Sequence, residues 1–118
     1  MAFKFERLEV WKMALQYIDM IYKIADALPK NEEYNLKGQI TRAATSIALN
    51  IAEGSTGQSD AEQTRFLGMA SRSLIETIAC LRLVDRRQYV STDLLNETDG
   101  FGGQLFAKLQ AFRSSLKS

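Results

Sequence analysis

Leu8-Glu9-Val10-Trp11-Lys12-Met13-Ala14-Leu15-Gln16-Tyr17-Ile18-Asp19-Met20-Ile21-Tyr22-Lys23-Ile24-Ala25-Asp26-Ala27-Leu28-Pro29 is the stretch on which the fold turns. Leu8, Trp11, Leu15, Ile18, Tyr22 and Ala25 recur at spacings of three and four, the seam of an amphipathic helix. Val10, Ala14, Ile21 and Leu28 lie beside that seam, and Met13, Tyr17, Met20 and Ile24 widen it further. At about 100° per residue the apolar arc covers roughly 220°, where one core needs about 100°. The surplus predicts a second buried surface against another subunit. Its expected interface residues are Met13, Tyr17, Met20 and Ile24, joined by Leu95 and Phe106 from the last helix. Pro29 closes the segment because proline continues a helix poorly.

Working outward, the same periodicity predicts four helices, over 6–28, 35–53, 60–87 and 92–116. Asn35 is expected to cap the second, whose apolar face is Leu36, Ile40, Ala43, Ala44, Ile47 and Ile51. Gly54 follows as a C-cap residue able to take a positive φ. Ser59-Asp60-Ala61-Glu62 has the pattern of a capping box for the third helix, with Phe66, Leu67, Ala70, Leu74, Ile78 and Leu81 as its core stripe. Ser91 or Thr92 starts the fourth, with the stripe Leu94, Phe101, Leu105, Leu109, Phe112 and Leu116. Gly100, Gly102 and Gly103 interrupt it. Gly102 borders the stripe and suits a close helix approach, and a kink is the competing reading. Short connections make sequential helices antiparallel neighbours, so the expected fold is all-α: an up-down-up-down antiparallel four-helix bundle, one domain over 1–118. Tyr89-Val90 is the one strand-like pair, and it is too short to form a sheet.

Composition narrows the chemistry. The 118 residues carry 15 Lys+Arg against 14 Asp+Glu, a net charge of +1, with one cysteine and no histidine. Lone Cys80 excludes an internal disulfide framework, and the absence of histidine removes Ser–His and Cys–His catalytic pairs and most zinc ligation. No cofactor or metal is expected. No apolar h-region opens the chain and no stretch is long enough to span a membrane, which points to the cytoplasm.

Two polar features remain. Arg65, Arg72, Arg82 and Arg86 fall on the arc of the third helix opposite its core stripe, with Arg87 close by. Such a row can track phosphates, and repetition around an oligomer would multiply the field. The competing reading is a solvated face paired with neighbouring acids, which the near-zero net charge favours. No aromatics interleave, so stacking on single-stranded bases is not indicated. On the second helix Arg42, Ser46, Asn50 and Glu53 line one side. Arg42 and Glu53 are about 16 Å apart along the axis. Asn50 and Glu53 are close enough to act together at the turn near Gly54. A solvated face, or a buried hydrogen-bond network between helices or subunits, explains this stripe better than catalysis, which would need Glu53 in a concave pocket with a raised pKa.

Phe5-Glu6-Arg7-Leu8-Glu9-Val10-Trp11, Leu28-Pro29-Lys30 and Gln39-Ile40-Thr41-Arg42-Ala43-Ala44-Thr45-Ser46-Ile47-Ala48-Leu49-Asn50-Ile51-Ala52-Glu53-Gly54 resemble the four-helix-bundle proteins encoded in intervening sequences of bacterial 23S ribosomal RNA genes. The set is also similar to the accessory variability determinant of diversity-generating retroelements. The likeness runs on through Phe66-Leu67 and Ala70 to Thr77. It implies a ring-like homopentamer. For the retroelement branch it implies nucleic-acid and reverse-transcriptase binding through basic surfaces. Trp11, Arg42, Ser46, Asn50, Glu53 and Gly54 match the family pattern as architectural residues. Ala48 stands where many relatives have proline, and Gly100, Phe101, Gly102 and Gly103 stand where they carry charge. The low net charge favours the less basic ribosomal-gene branch.

The sequence therefore points to a non-enzymatic, oligomeric helical-bundle protein that binds RNA or a nucleic-acid-handling protein. The alternative is a protein–protein assembly module without nucleic-acid affinity. An enzyme using Glu53 with Arg42 is a third, weaker reading.

Overall fold

A computed structural model describes residues 3–57 and 59–116. Four α-helices form among the described residues: α1 (Glu9–Asp26), α2 (Leu36–Gly54), α3 (Asp60–Arg87) and α4 (Thr92–Ser115). Short 3-10 turns at Lys4–Arg7 and Lys30–Glu32 precede the first two. The described residues contain no strand, and Tyr89-Val90 is a link between helices.

The first helix is shorter than its periodicity predicts. Leu8 is extended (φ −70°, ψ 135°), which separates the opening 3-10 turn from α1. At α2 the Asn35 side chain makes no capping bond to the backbone. Glu32 takes that role: its Oε1 accepts from Leu36 N–H at 3.4 Å and from Asn35 Nδ2 at 3.0 Å. A carboxylate here satisfies an orphan amide and meets the positive helix end. Its Oε2 accepts from the Tyr89 hydroxyl at 2.7 Å, tying this turn to the end of α3. That bond holds the Glu32 carboxyl below its usual range, and the same bond raises the Tyr89 phenol. The start of α3 follows expectation in part. Ser59 Oγ accepts from Glu62 N–H at 3.1 Å, while the Glu62 carboxylate engages Arg65 at 2.7 Å. Ser91 caps α4 through Leu94 N–H. Gly54 ends α2 without a positive φ; among the described glycines that conformation belongs to Gly57, at 89°.

α1 packs on α2, α2 on α3, α3 on α4, and α4 returns to α1, with α2–α3 the most extensive border. The molecule measures 43 × 23 × 23 Å. At 1.5 Å per residue, α3 alone is about 42 Å long, so it runs the whole length. The arrangement is consistent with a four-helix bundle around one core. The expected face of α2 is buried in full, as are Leu67, Ala70, Leu74 and Leu81 of α3. Cys80 is also buried, and burial raises its thiol pKa.

α1 is turned differently from the expected seam. Val10, Ala14, Tyr17, Ile21, Ile24 and Ala25 face the core, while Leu15 and Tyr22 of the predicted seam are 44% and 43% exposed. Three of the six expected interface residues are therefore core: Tyr17 and Ile24 are fully buried and Leu95 nearly so. Met13 and Phe106 are partly buried against the same core, and Met20 is half-buried. The arc was wide enough to fit either rotation. Two alanines permit close contact on the chosen side, and Tyr17 finds a polar partner there.

That partner is Thr77, across the core on α3. The hydroxyls lie 2.7 Å apart, and Thr77 Oγ1 donates to Leu74 C=O at 2.6 Å. Thr77 has one proton, so Tyr17 donates to it. Gly102 makes room: a Cβ there would lie 3.0 Å from both Tyr17 Cε1 and Ile78 Cδ1. α4 runs unbroken through all three glycines, and Cβ atoms at Gly100 and Gly103 would meet open space. The close approach at Gly102 is borne out, and the helix does not break there.

Candidate functional site

The side of α3 facing α2 is closed by short polar side chains. Ser73 Oγ donates to Ser46 Oγ at 2.9 Å, and Asn50 Nδ2 donates to Ser46 O and Oγ at 2.9 and 3.0 Å. Lower down, Gln63 Nε2 donates to Ser55 Oγ at 3.0 Å, and Ser55 Oγ donates to Ile51 C=O. At Gly54 a Cβ would sit 2.7 Å from Phe66 Cβ, so this glycine sets how closely α2 and α3 approach. The polar stripe of α2 is thus an interhelix network at Ser46 and Asn50. Asn50 turns back one helical turn and does not act with Glu53. Glu53 and Arg42 are exposed. An exposed Glu53 speaks against the Glu53–Arg42 enzyme reading, which calls for that carboxylate inside a concave pocket. Trp11 is half-buried, its ring edge-to-face with Phe5 at 4.6 Å.

The opposite flank, between α3 and α4, opens into a groove of about 630 Å³. Arg65, Arg72 and Arg113 line it together with Met69, Ile75 and Phe106. Arg65 is held at its place by Glu62 Oε1, which accepts from Nε and Nη2 at 2.9 and 2.7 Å. Its guanidinium stacks over Phe66, 4.6 Å from the ring centroid. Arg72 is exposed and makes no ion pair with a described residue. Arg113 reaches across from α4, its Nε donating to Thr64 C=O at 3.3 Å.

The expected arginine row is not one row. Arg65 and Arg72 share the groove. Arg82 is paired with Asp99 at 2.8 Å. Arg86 and Arg87 line a separate cleft of about 440 Å³ at the far end of α3, with Leu83 and the Glu32 carboxylate. Arg113 was missed by the sequence reading. Its signal was present: Phe106, Gln110 and Arg113 stand four and three apart on α4, one side of a helix. No group of His, Cys, Asp or Glu among the described residues is placed to hold a metal ion, and none of the described helices is long and apolar enough to cross a membrane.

Residues 6–110 match the family of 23S rRNA-intervening sequence proteins. The chain belongs to that family. Its fold is similar to the crystal structure of a protein of unknown function from the S23 ribosomal protein family of Bacteroides thetaiotaomicron, with a TM-score of 0.82 and 24% identity. The superposition covers 90% of this chain and 99% of the other. No functionally curated protein matches the sequence. Ser46 and Gly54 sit where α2 and α3 approach each other, and Asn50 bonds to Ser46.

Proposed function

We propose that this member of the family is a non-enzymatic, homo-oligomeric, cytoplasmic protein that binds RNA. One domain forms an up-down-up-down antiparallel four-helix bundle, and the resemblance that extends to the retroelement accessory determinant supports a pentamer. The observation that carries the RNA reading is the meeting of Arg65, Arg72 and Arg113 in one solvent-open groove. Clustered guanidiniums attract phosphates, and several copies in one assembly raise the local potential further. Fluorescence anisotropy with structured ribosomal RNA fragments, DNA and RNA homopolymers tests it. Binding at low salt that weakens steeply with added salt is the expected outcome, and Arg65→Glu with Arg72→Glu should weaken it and flatten the salt dependence. No binding by the assembled protein at low salt ends the reading.

The assembly reading without nucleic acid has its own support. Leu15 and Tyr22 of α1 and Leu49 of α2 are exposed, and Tyr22 and Leu49 line one shallow cleft. This face replaces Tyr17, Ile24 and Leu95 as the place where copies would meet. Light scattering that returns a monomer mass at micromolar concentration would remove the oligomer.

A further inference from the structure

We propose that phosphate groups of the RNA backbone are seated at a three-arginine clamp in the α3–α4 groove, and that Gly68 is the positioning residue that builds it. The inference rests on the RNA reading and narrows it from a row along α3 to one place. Gly68 lies between Arg65 and Arg72, three residues from one and four from the other, so the three positions share a side of α3. The space its Cβ would fill is taken by Arg113: Nη2, Cζ and Nε of that guanidinium stand 3.0, 3.2 and 3.4 Å away. A glycine notch thus lets an arginine from the last turns of α4 lie across α3, between two arginines of α3 itself. Arg65 and Arg72 are about 10 Å apart along the axis. Three guanidiniums are therefore gathered over one short segment. Among the described residues, the single carboxylate that engages them is Glu62, on Arg65.

The other arginines of α3 lack this arrangement. Arg82 spends its charge on Asp99, and Arg86 and Arg87 share their cleft with the ionised Glu32. The aromatic side chains beside the guanidiniums are partly taken up. Phe106 is half-buried, and Arg65 covers the ring of neighbouring Phe66. Recognition through backbone phosphates, indifferent to base identity, follows from that chemistry.

Anisotropy titrations of a short labelled RNA duplex over a salt series test the clamp, with inorganic tripolyphosphate as competitor. Gly68→Leu fills the notch with a better helix former, so the fold is expected to keep its melting temperature while Arg113 is displaced. Gly68→Leu and Arg113→Gln should each weaken binding several-fold for every duplex sequence, and each should lower the salt slope by about one. Tripolyphosphate should displace the duplex from the unaltered protein. Arg86→Gln with Arg87→Gln should leave both affinity and slope nearly unchanged. If the unaltered protein binds the duplex and Arg113→Gln binds equally well, or the Arg86 and Arg87 pair proves as damaging, the clamp is overturned while the RNA reading stands. If the unaltered protein binds no RNA, both fall. Should Gly68→Leu fail to fold, Arg113→Gln decides alone, because its side chain is exposed and its loss leaves the core intact.

Discussion

The two flanks of α3 are built on opposite plans. Toward α2 the side chains are short, the polar atoms bond each other, and Gly54 lets the backbones close to the limit set by Phe66. Toward α4, beside Phe106, the side chains are long and charged, and water reaches them. Satisfied polar groups between tightly packed helices add stability and specify one alignment, with little left to offer a ligand. Guanidiniums on an open flank contribute little to stability and keep their charge available. The contrast is structural: α3 is anchored on one side and open on the other.

The contrast breaks first at Gly54. Gly54→Leu would press a Cβ into Phe66 and push α2 from α3, at a cost of about 3 kcal/mol, read as a lowered urea midpoint. A loss below about 1 kcal/mol would mean that the closed flank is looser than its geometry. High pH attacks the same helix from inside the core. Burial pushes the Tyr17 phenol up to about 12 from its ordinary 10.0. Its contribution to stability is complete below pH 10. Above that, the unfolded chain loses the proton first, and stability falls until the folded phenol ionises near pH 12. Tyr17→Phe should remove this part of the alkaline loss, which thermal melts across that range would show.

The glycines of α4 sharpen the comparison further. Gly102→Ala meets Tyr17 and Ile78 at 3.0 Å and should destabilise by about 1–2 kcal/mol, whereas Gly103→Ala meets nothing and should stabilise by up to about 1 kcal/mol. Paired denaturation curves would show shifts of opposite sign. The smallest effect belongs to the open flank. Arg72→Gln should change stability by less than about 0.5 kcal/mol, so any large loss would mean that the groove is structural.

Much of the fold was legible in the sequence because its signals are local. Four apolar periodicities, Pro29, and serines at the starts of α3 and α4 mark helices without knowledge of their neighbours. The caps that misled are those whose partners come from elsewhere: Glu32 displaces Asn35 by reaching Leu36 and Tyr89 together. The candidate site was half legible. Arg65 and Arg72 share a helix face by spacing alone, but Arg113 joins them through a notch at Gly68 that spacing within α3 does not reveal.

The amino-acid pattern by itself determined how many helices form, where each begins and ends to within a turn, and that α1 is apolar around most of its surface. Those properties depend on residues within a few positions of one another. Which meridian of α1 turns inward was settled only by packing, where Ala14 and Ala25 admit close neighbours and Tyr17 meets Thr77 beside Gly102. Which arginines of α3 meet carboxylates from elsewhere in the chain was settled the same way, because Asp99 and Glu32 are brought to α3 by the folded chain and not by proximity in sequence.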